Sequence, residues 1–235
     1  MAISNLQLKI KEVNAKIENI TKYTESIINH TKLDIKLPDG YTELEYVQAS
    51  GNCYTDTLYA PTRNAKFDSK VYMGSGSSSY PTVWGGRDIN NGPNGIYSHN
   101  LSSRLEVMIY NTNVSFSGSH YNKIYYLTNF YTNSAVELYD ENFQLLDSKT
   151  YTAQTSDRYN RTTYLFTLNR NGSPCGECYT SGYRIYYLRF YENNELVCDI
   201  IPCKDINGTV CFYEAVQHNT LYNKGSGSFV AGPEI

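Results

Sequence analysis

YRIYYLRFYENNELVCDIIP, residues 183–202, is the stretch that decides the fold class of this chain. Tyrosine and branched or aromatic apolar residues fill two runs, 183–191 and 196–202, and such residues favour β-strands. The four residues between the runs, Glu-Asn-Asn-Glu at 192–195, have the composition of a short hairpin turn. The stretch therefore predicts a β-hairpin of two antiparallel strands.

The same pattern of short apolar runs, separated by Gly, Asn, Ser and Asp clusters, extends over the whole of residues 41–235. It predicts strands at 44–48, 54–59, 66–73, 82–86, 104–110, 123–128, 134–139, 143–150, 163–169, 183–191, 196–202 and 209–213. So many short strands indicate an all-β head with the architecture of a two-sheet sandwich. Residues 74–80 and 90–100 are predicted as long loops, where binding on a rigid sandwich is expected.

Residues 1–32 differ from the head in composition: Lys, Glu, Asn and Ile dominate, and the first Gly or Pro is Pro38. Apolar residues recur at alternating spacings of three and four, which is the register of a coiled-coil seam. Isoleucine at both seam positions favours three or four strands over two, so we predict a homotrimer. A single amphipathic helix packed on its own β-domain is the alternative. The predicted trimerisation residues are Ile3, Leu6, Ile10, Val13, Ile17, Ile20 and Ile27.

Residues 33–40, which end in Leu-Pro-Asp-Gly, have the turn chemistry of a linker between this stalk and the head.

Both ends of the head resemble a known family. LPDGYTELEYVQ at 37–48, with Ser50-Gly51 and YTDT at 54–57, looks like the opening of a concanavalin A-like (laminin G-like) jelly-roll domain. The stretch 184–233, including IPCK at 201–204 and AGP at 231–233, is similar to the closing signature of that group. The group occurs in minor structural proteins of phages and prophages and in bacterial surface proteins. The resemblance implies a jelly-roll sandwich that is often carbohydrate-binding and is displayed on a virion or a cell.

Together, the coil and the resemblance predict a bacteriophage virion protein, a fibre or appendage subunit whose lectin-like head binds host or environmental glycans. The N-terminal helix is expected to contact other virion proteins. One alternative is a structural decoration or capping protein that binds only neighbouring subunits. A glycan-degrading enzyme is disfavoured, because that chemistry needs two facing carboxylates. Glu43 and Glu45 share a strand face at the start of the head. Exposed charges on a strand normally serve only to solvate it, so no catalytic residue is predicted.

Composition restricts the possible partners. The formal net charge of −3 provides no basic field for nucleic acid, and no apolar run is long enough for membrane insertion. The start of the chain lacks the charged and apolar regions of a secretory signal, so synthesis in the host cytoplasm and exposure on the virion are expected.

Sugar binding commonly uses an aromatic ring stacked on a pyranose, with polar groups bonded to the hydroxyls. The candidates beside the two predicted loops are Tyr80, Trp84, Arg87 and Tyr97. Trp84 has an alternative role in the core between the sheets, so Tyr80 and Tyr97 are expected to be the more exposed.

Metal and cofactor sites are not predicted. The pair in Cys175-Gly-Glu-Cys178 could bind zinc only with a second pair, and Cys198 and Cys203 lie on another strand. A local disulfide and free thiols are the other possibilities for this pair. A calcium site is conceivable at Asp88, Asn90, Asn91 and Asn94. Such residues also form Asx turns in loops, and we favour that role here. The four histidines, His30, His99, His120 and His218, are predicted at the surface or in loops.

Overall fold

The computed structural model describes residues 7, 9–11, 13, 14, 17, 37–75, 78–88, 94–110, 112–130, 134–152 and 160–235. Contacts within the chain define two compact units, Met1–Lys36 and Leu37–Ile235. The boundary between them falls inside the predicted linker 33–40. No helix in the described part is long and apolar enough to cross a membrane.

The described residues of the first unit are all helical. Three of the predicted seam residues are among them, and Ile10, Val13 and Ile17 are 51%, 53% and 55% exposed. Ile3, Leu6, Ile20 and Ile27 lie outside the described residues. The coiled coil and its trimeric state therefore stay predictions.

The second unit is a β-sandwich, as the sequence predicts, built from two sheets. Its strands are β1 Thr42–Glu43, β2 Val47–Ser50, β3 Thr55–Asp56, β4 Lys66–Met73, β5 Thr82–Asp88, β6 Asn94–Leu101, β7 Arg104–Tyr110, β8 Thr112–Ser117, β9 Lys123–Thr128, β10 Ala135–Tyr139, β11 Leu145–Thr150, β12 Tyr164–Leu165, β13 Asn169–Arg170, β14 Ser173–Pro174, β15 Arg184–Glu192, β16 Glu195–Lys204, β17 Val210–Glu214, β18 Asn219–Leu221 and β19 Ser228–Ala231.

The larger sheet has the order β11-β10-β9-β4-β15-β16-β17-β18, with β1 beside β16 and with β2 between β15 and β19. The smaller sheet has the order β14-β13-β5-β6-β7-β8, and β12 joins β3 to β5. The pairings in the described residues are antiparallel except for the short pair β13–β5. The hairpin predicted from residues 183–202 is β15 and β16, at the centre of the larger sheet.

Aromatic rings from both sheets meet in one core. The Trp84 ring from the smaller sheet lies 4.9 Å from the Phe67 ring and 6.0 Å from the Phe190 ring of the larger sheet. Further along, the rings of Phe166 and Phe212 are 6.0 Å apart. These contacts join the two inner faces, as expected for sheets that pack face to face.

Two predictions about the loops are wrong. Most of the predicted loop 90–100 is strand β6, which pairs with β5 on one side and β7 on the other. His99 lies in β6 and is buried, whereas His120 lies outside the strands, as predicted, but is also buried. Both imidazoles have polar partners: His99 Nδ1 lies 2.7 Å from Thr82 Oγ1, and His120 Nδ1 lies 3.1 Å from the Tyr125 hydroxyl.

Candidate functional site

The sequence-predicted glycan residues separate into exposed and buried ones. Tyr80, just before β5, is 48% exposed, and Arg87 near the end of β5 is partly buried. Trp84 is fully buried between the sheets, and Tyr97 is 4% exposed. The expectation that Tyr97 is exposed is therefore wrong, and neither buried ring has a face available for stacking. Sugar binding by Tyr80 and Arg87 stays a prediction.

Tyr97 is buried because β6 places it on the outer face of the smaller sheet, beneath a covering turn. Its ring packs with Leu168, Cys175 and Cys178 in a small apolar cluster. The ring of His99 is next to it at 4.5 Å and is also 6.0 Å from the ring of Tyr80. Burial lowers the pKa of His99 to about 4, so this imidazole is neutral at neutral pH.

The outer face of the larger sheet carries a set of alternating tyrosines and cations that the sequence analysis did not identify. We call it the tyrosine–cation face. Strand β4 contributes Lys70 and Tyr72, whose neighbours along the strand, Val71 and Met73, point into the core. The face consists of Tyr46, Lys70, Tyr72, Tyr126, Arg184 and Tyr186.

Strand register brings these side chains together. Lys70 is opposite Tyr126 on β9, and Tyr72 is opposite Arg184 on β15. A β-bulge between Ile185 and Tyr187 adds one residue to β15. That extra residue is Tyr186, and a bulge of this kind commonly redirects a side chain.

Each cation on this face lies between two rings. The ammonium of Lys70 is 4.6 Å from the centre of the Tyr186 ring and 5.5 Å from that of Tyr126. The guanidinium carbon of Arg184 is 4.5 Å from the Tyr46 ring centre and 4.8 Å from that of Tyr72. Such contacts stabilise a cation by about 0.5–2 kcal/mol, depending on its exposure.

The two cations have few other partners. Arg184 Nε donates a hydrogen bond to Gln48 Oε1 at 2.9 Å. In the part of the chain that the structure describes, neither Lys70 nor Arg184 belongs to an ion pair. Most of their N–H donors therefore stay available to a ligand.

The Tyr46 ring is held against the C-terminal part of the head. A Cβ atom at Gly232 would lie 2.9 Å from this ring and 2.7 Å from the Tyr46 carbonyl oxygen. Only glycine fits this close approach without a shift of one of the two segments. Gly232 thus helps to set the position of one wall of the Arg184 site.

A groove of about 410 Å³ adjoins the tyrosine–cation face at Tyr72. This volume is within the range of small-molecule sites. Its walls combine amide, charged and apolar side chains, from Tyr72, Asn122, Lys123, Ile124, Tyr125, Asp140, Glu141 and Leu146. The Tyr72 hydroxyl donates a hydrogen bond to Asn122 Oδ1 at 3.2 Å, which links the face to the groove.

A row of polar side chains crosses the same sheet next to the face. Register aligns Glu137, Thr128, Asp68, Arg189 and Asp199 on five adjacent strands, β10-β9-β4-β15-β16. All five are buried. Because they are withdrawn from solvent and bonded within the head, the row is a structural network rather than a ligand-binding surface.

Metal binding has no support in the described ranges, where no group of three or more His, Cys, Asp or Glu residues could hold an ion. Cys198 is buried in β16, and Cys203 faces Cys211 across the β16–β17 pair. The structure therefore does not bring a second cysteine pair to Cys175 and Cys178. The conceivable calcium set was Asp88 with Asn90, Asn91 and Asn94; Asn90, Asn91 and the side chain of Asn94 lie outside the described residues.

The sequence predicts only part of the tyrosine–cation face. The alternation of residues 66–73 places Lys70 and Tyr72 on one side of a strand, which the sequence predicts. The partners Tyr46, Tyr126 and Tyr186 come from other strands, and their register is not readable from composition.

A scan against models of protein families found no match to this chain, and a search of curated proteins found none either.

Proposed function

We propose that this chain is a bacteriophage virion structural protein, a trimeric fibre or appendage subunit whose head binds glycans. In this proposal the β-sandwich is a concanavalin A-like jelly roll exposed on the particle. The N-terminal helix forms the trimer and contacts other virion proteins.

The observation that carries the glycan-binding proposal is the tyrosine–cation face. Lys70 and Arg184 are held in place by ring contacts and keep donors for a ligand. Cationic donors bond most strongly to anionic acceptors, so the ligand is a glycan with carboxylate or sulfate groups. Tyrosine hydroxyls next to the cations add hydrogen-bond donors and acceptors for neutral sugar hydroxyls.

The adjoining groove supports the same function. Its lining suits both parts of a sugar: the Tyr72 ring offers an apolar surface, and Asn122 and Glu141 offer polar atoms. Shallow sites with these ingredients are typical of small-ligand recognition. A saccharide that spans the groove and the face would contact Tyr72 in both.

A trimer would strengthen binding through multivalency. The helical residues Ile10, Val13 and Ile17 belong to the predicted seam and are more than half exposed within one chain. Association of three helices through such a seam buries this apolar surface. Three heads on one stalk raise the effective concentration of the second and third sites on a repeating polysaccharide.

The test is binding of the full chain to an array of acidic and neutral glycans. We expect binding to a subset of acidic glycans, and a loss of about tenfold or more in affinity for Lys70→Gln with Arg184→Gln. The matched control is Lys149→Gln with Arg104→Gln, which removes two charges already paired with Asp147 and Glu106. Silence across the array, or equal losses in both double variants, would reject the proposed site. Release of reducing sugar would indicate an enzyme instead.

A purely structural decoration or capping protein is the second candidate, because the edge strand β11 of the larger sheet begins with two exposed leucines. Leu145 and Leu146 on the edge strand β11 are 44% and 53% exposed. Exposed leucines on a strand edge favour contact with another protein. This candidate would be favoured if no glycan on the array binds and if the double variant Leu145→Ser with Leu146→Ser assembles into fewer particles.

A further inference from the structure

The turn at residues 175–178 brings two thiols into contact. Cys175 Sγ and Cys178 Sγ are 2.7 Å apart, closer than two non-bonded sulfur atoms normally approach. The Cys178 N–H donates to the Cys175 carbonyl at 3.0 Å, which is the hydrogen bond of a β-turn. The ends of a β-turn are within the range of Cα separations that disulfides span.

Backbone hydrogen bonds hold both cysteines from outside the turn. Cys175 N–H donates to the Leu168 carbonyl at 2.9 Å, and the Cys178 carbonyl accepts from Thr82 N–H at 3.0 Å. The two sulfur atoms therefore face each other without a rearrangement of the chain. Conversion of this contact to a bond of about 2.05 Å needs only a small movement of the side chains.

The tip of the turn brings the pair close to solvent. Cys175 and Cys178 are buried, but Gly176 and Glu177 between them are exposed. A Cβ atom added at Gly176 would meet nothing within 4 Å, so the space beside the tip is open.

The two thiols have different electrostatic surroundings. The hydrogen bond from Cys178, together with the nearby Arg170 guanidinium, lowers the pKa of Cys175 below its usual range. The hydrogen bond to Cys175, together with burial, raises the pKa of Cys178. A thiolate is the nucleophile in exchange with disulfides, so Cys175 reacts first.

We propose that Cys175 and Cys178 form a redox modification site that is oxidised to an intramolecular disulfide by low-molecular-weight disulfides such as oxidised glutathione. The argument for this site uses neither the proposed glycan binding nor the proposed trimer.

The reaction has two exchange steps. The Cys175 thiolate attacks one sulfur of the small disulfide, forms a mixed disulfide and releases one thiolate, which takes up the proton that Cys175 lost. Cys178 then loses its proton and attacks Cys175 Sγ, which forms the internal disulfide and releases the second small thiol. The protein loses two electrons and two protons, and the small disulfide gains them as two thiols.

The head contains a matched control pair. Cys203 and Cys211 face each other across β16 and β17 with their sulfur atoms 3.5 Å apart, and both are fully buried. They lie inside paired strands without an exposed tip beside them. The hydrogen bond with the neighbouring Cys211 thiol, together with burial, raises the pKa of Cys203, so this pair should react far more slowly.

The experiment incubates the folded full chain with oxidised glutathione, quenches with acid, alkylates the remaining thiols after unfolding and maps the peptides by mass spectrometry. We expect Cys175 and Cys178 in a disulfide, and Cys53, Cys198, Cys203 and Cys211 alkylated. Dithiothreitol should restore both thiols. In Cys178→Ser the mixed disulfide should accumulate on Cys175, and in Cys175→Ser no adduct should form on Cys178.

The proposal is overturned if Cys175 and Cys178 remain alkylatable, or if Cys203 and Cys211 are oxidised at an equal or higher rate. An adduct on Cys178 in Cys175→Ser would overturn the assignment of the nucleophile. The wild-type result does not depend on the folding of either variant.

Discussion

Arg189 Nε lies 3.1 Å from Asp199 Oδ1 on the outer face of the larger sheet, and the two side chains are 5% and 2% exposed. A buried guanidinium needs this carboxylate, because an unpaired charge away from water is costly. We expect Asp199→Asn to lower the free energy of unfolding by about 3 kcal/mol, measured by chemical denaturation. Asp147→Asn, which breaks the exposed pair with Lys149, should cost less than about 1 kcal/mol. Equal losses would contradict the structural role of the buried row.

The stalk can be tested by the mass of the assembled chain. Ile10→Asp together with Ile17→Asp places like charges in the predicted seam, where their burial opposes association. Light scattering should show a trimer for the unchanged chain and a monomer for this variant. Lys11→Asp puts the same side chain outside the seam and should leave the trimer intact. An unchanged mass in the double variant would reject the coiled coil.

His99 makes stability depend on pH in a defined window. Burial lowers its pKa from 6.5 to about 4, and Glu106, Arg87 and Arg170 are the charged groups near it. Between these values the unfolded chain binds more protons than the folded chain, so stability is lost as the pH falls from about 6.5 to about 4. The loss is up to about 3 kcal/mol.

His99→Gln should reduce the dependence of the free energy of unfolding on pH in this window. The measurement is chemical denaturation at several pH values. The matched control is His218→Gln, which removes an exposed imidazole. If His99→Gln keeps the slope of the unchanged chain, the buried imidazole is not its source.

Gly85 is a site where any side chain should disrupt the smaller sheet. A Cβ atom there would lie 2.1 Å from Tyr97 Cβ and 2.5 Å from Tyr97 Cα on the neighbouring strand. We expect Gly85→Ala to lower the free energy of unfolding by about 3 kcal/mol or more. Gly176→Ala, which meets open space, should be close to neutral. A neutral Gly85→Ala would mean that β5 and β6 can separate at little cost.

Much of the strand pattern was predictable, because the central hairpin shows its apolar runs and its turn in sequence. β15 and β16 begin and end within two residues of the predicted strands. β6 was missed because polar residues fill a buried strand. Asn100, for example, is buried and donates a hydrogen bond to the Tyr183 hydroxyl at 3.1 Å. Composition alone assigns such residues to loops, whereas partners on other strands make their burial possible.

The candidate site was less predictable than the fold. Trp84 and Tyr97 are aromatic residues near predicted loops, but tertiary packing buries both. The tyrosine–cation face depends on strand register and on the bulge that inserts Tyr186 into β15. These are long-range properties, and a single sequence without paired strands does not reveal them.

The place of β2 in the larger sheet has a consequence for synthesis on the ribosome. Its two neighbours, β15 and β19, are translated long after it, so β2 has no native partner while most of the head is being made. Non-local pairings of this kind fold slowly. The centre of the larger sheet is therefore completed only when β15 has been made, and β19 adds the last strand beside β2.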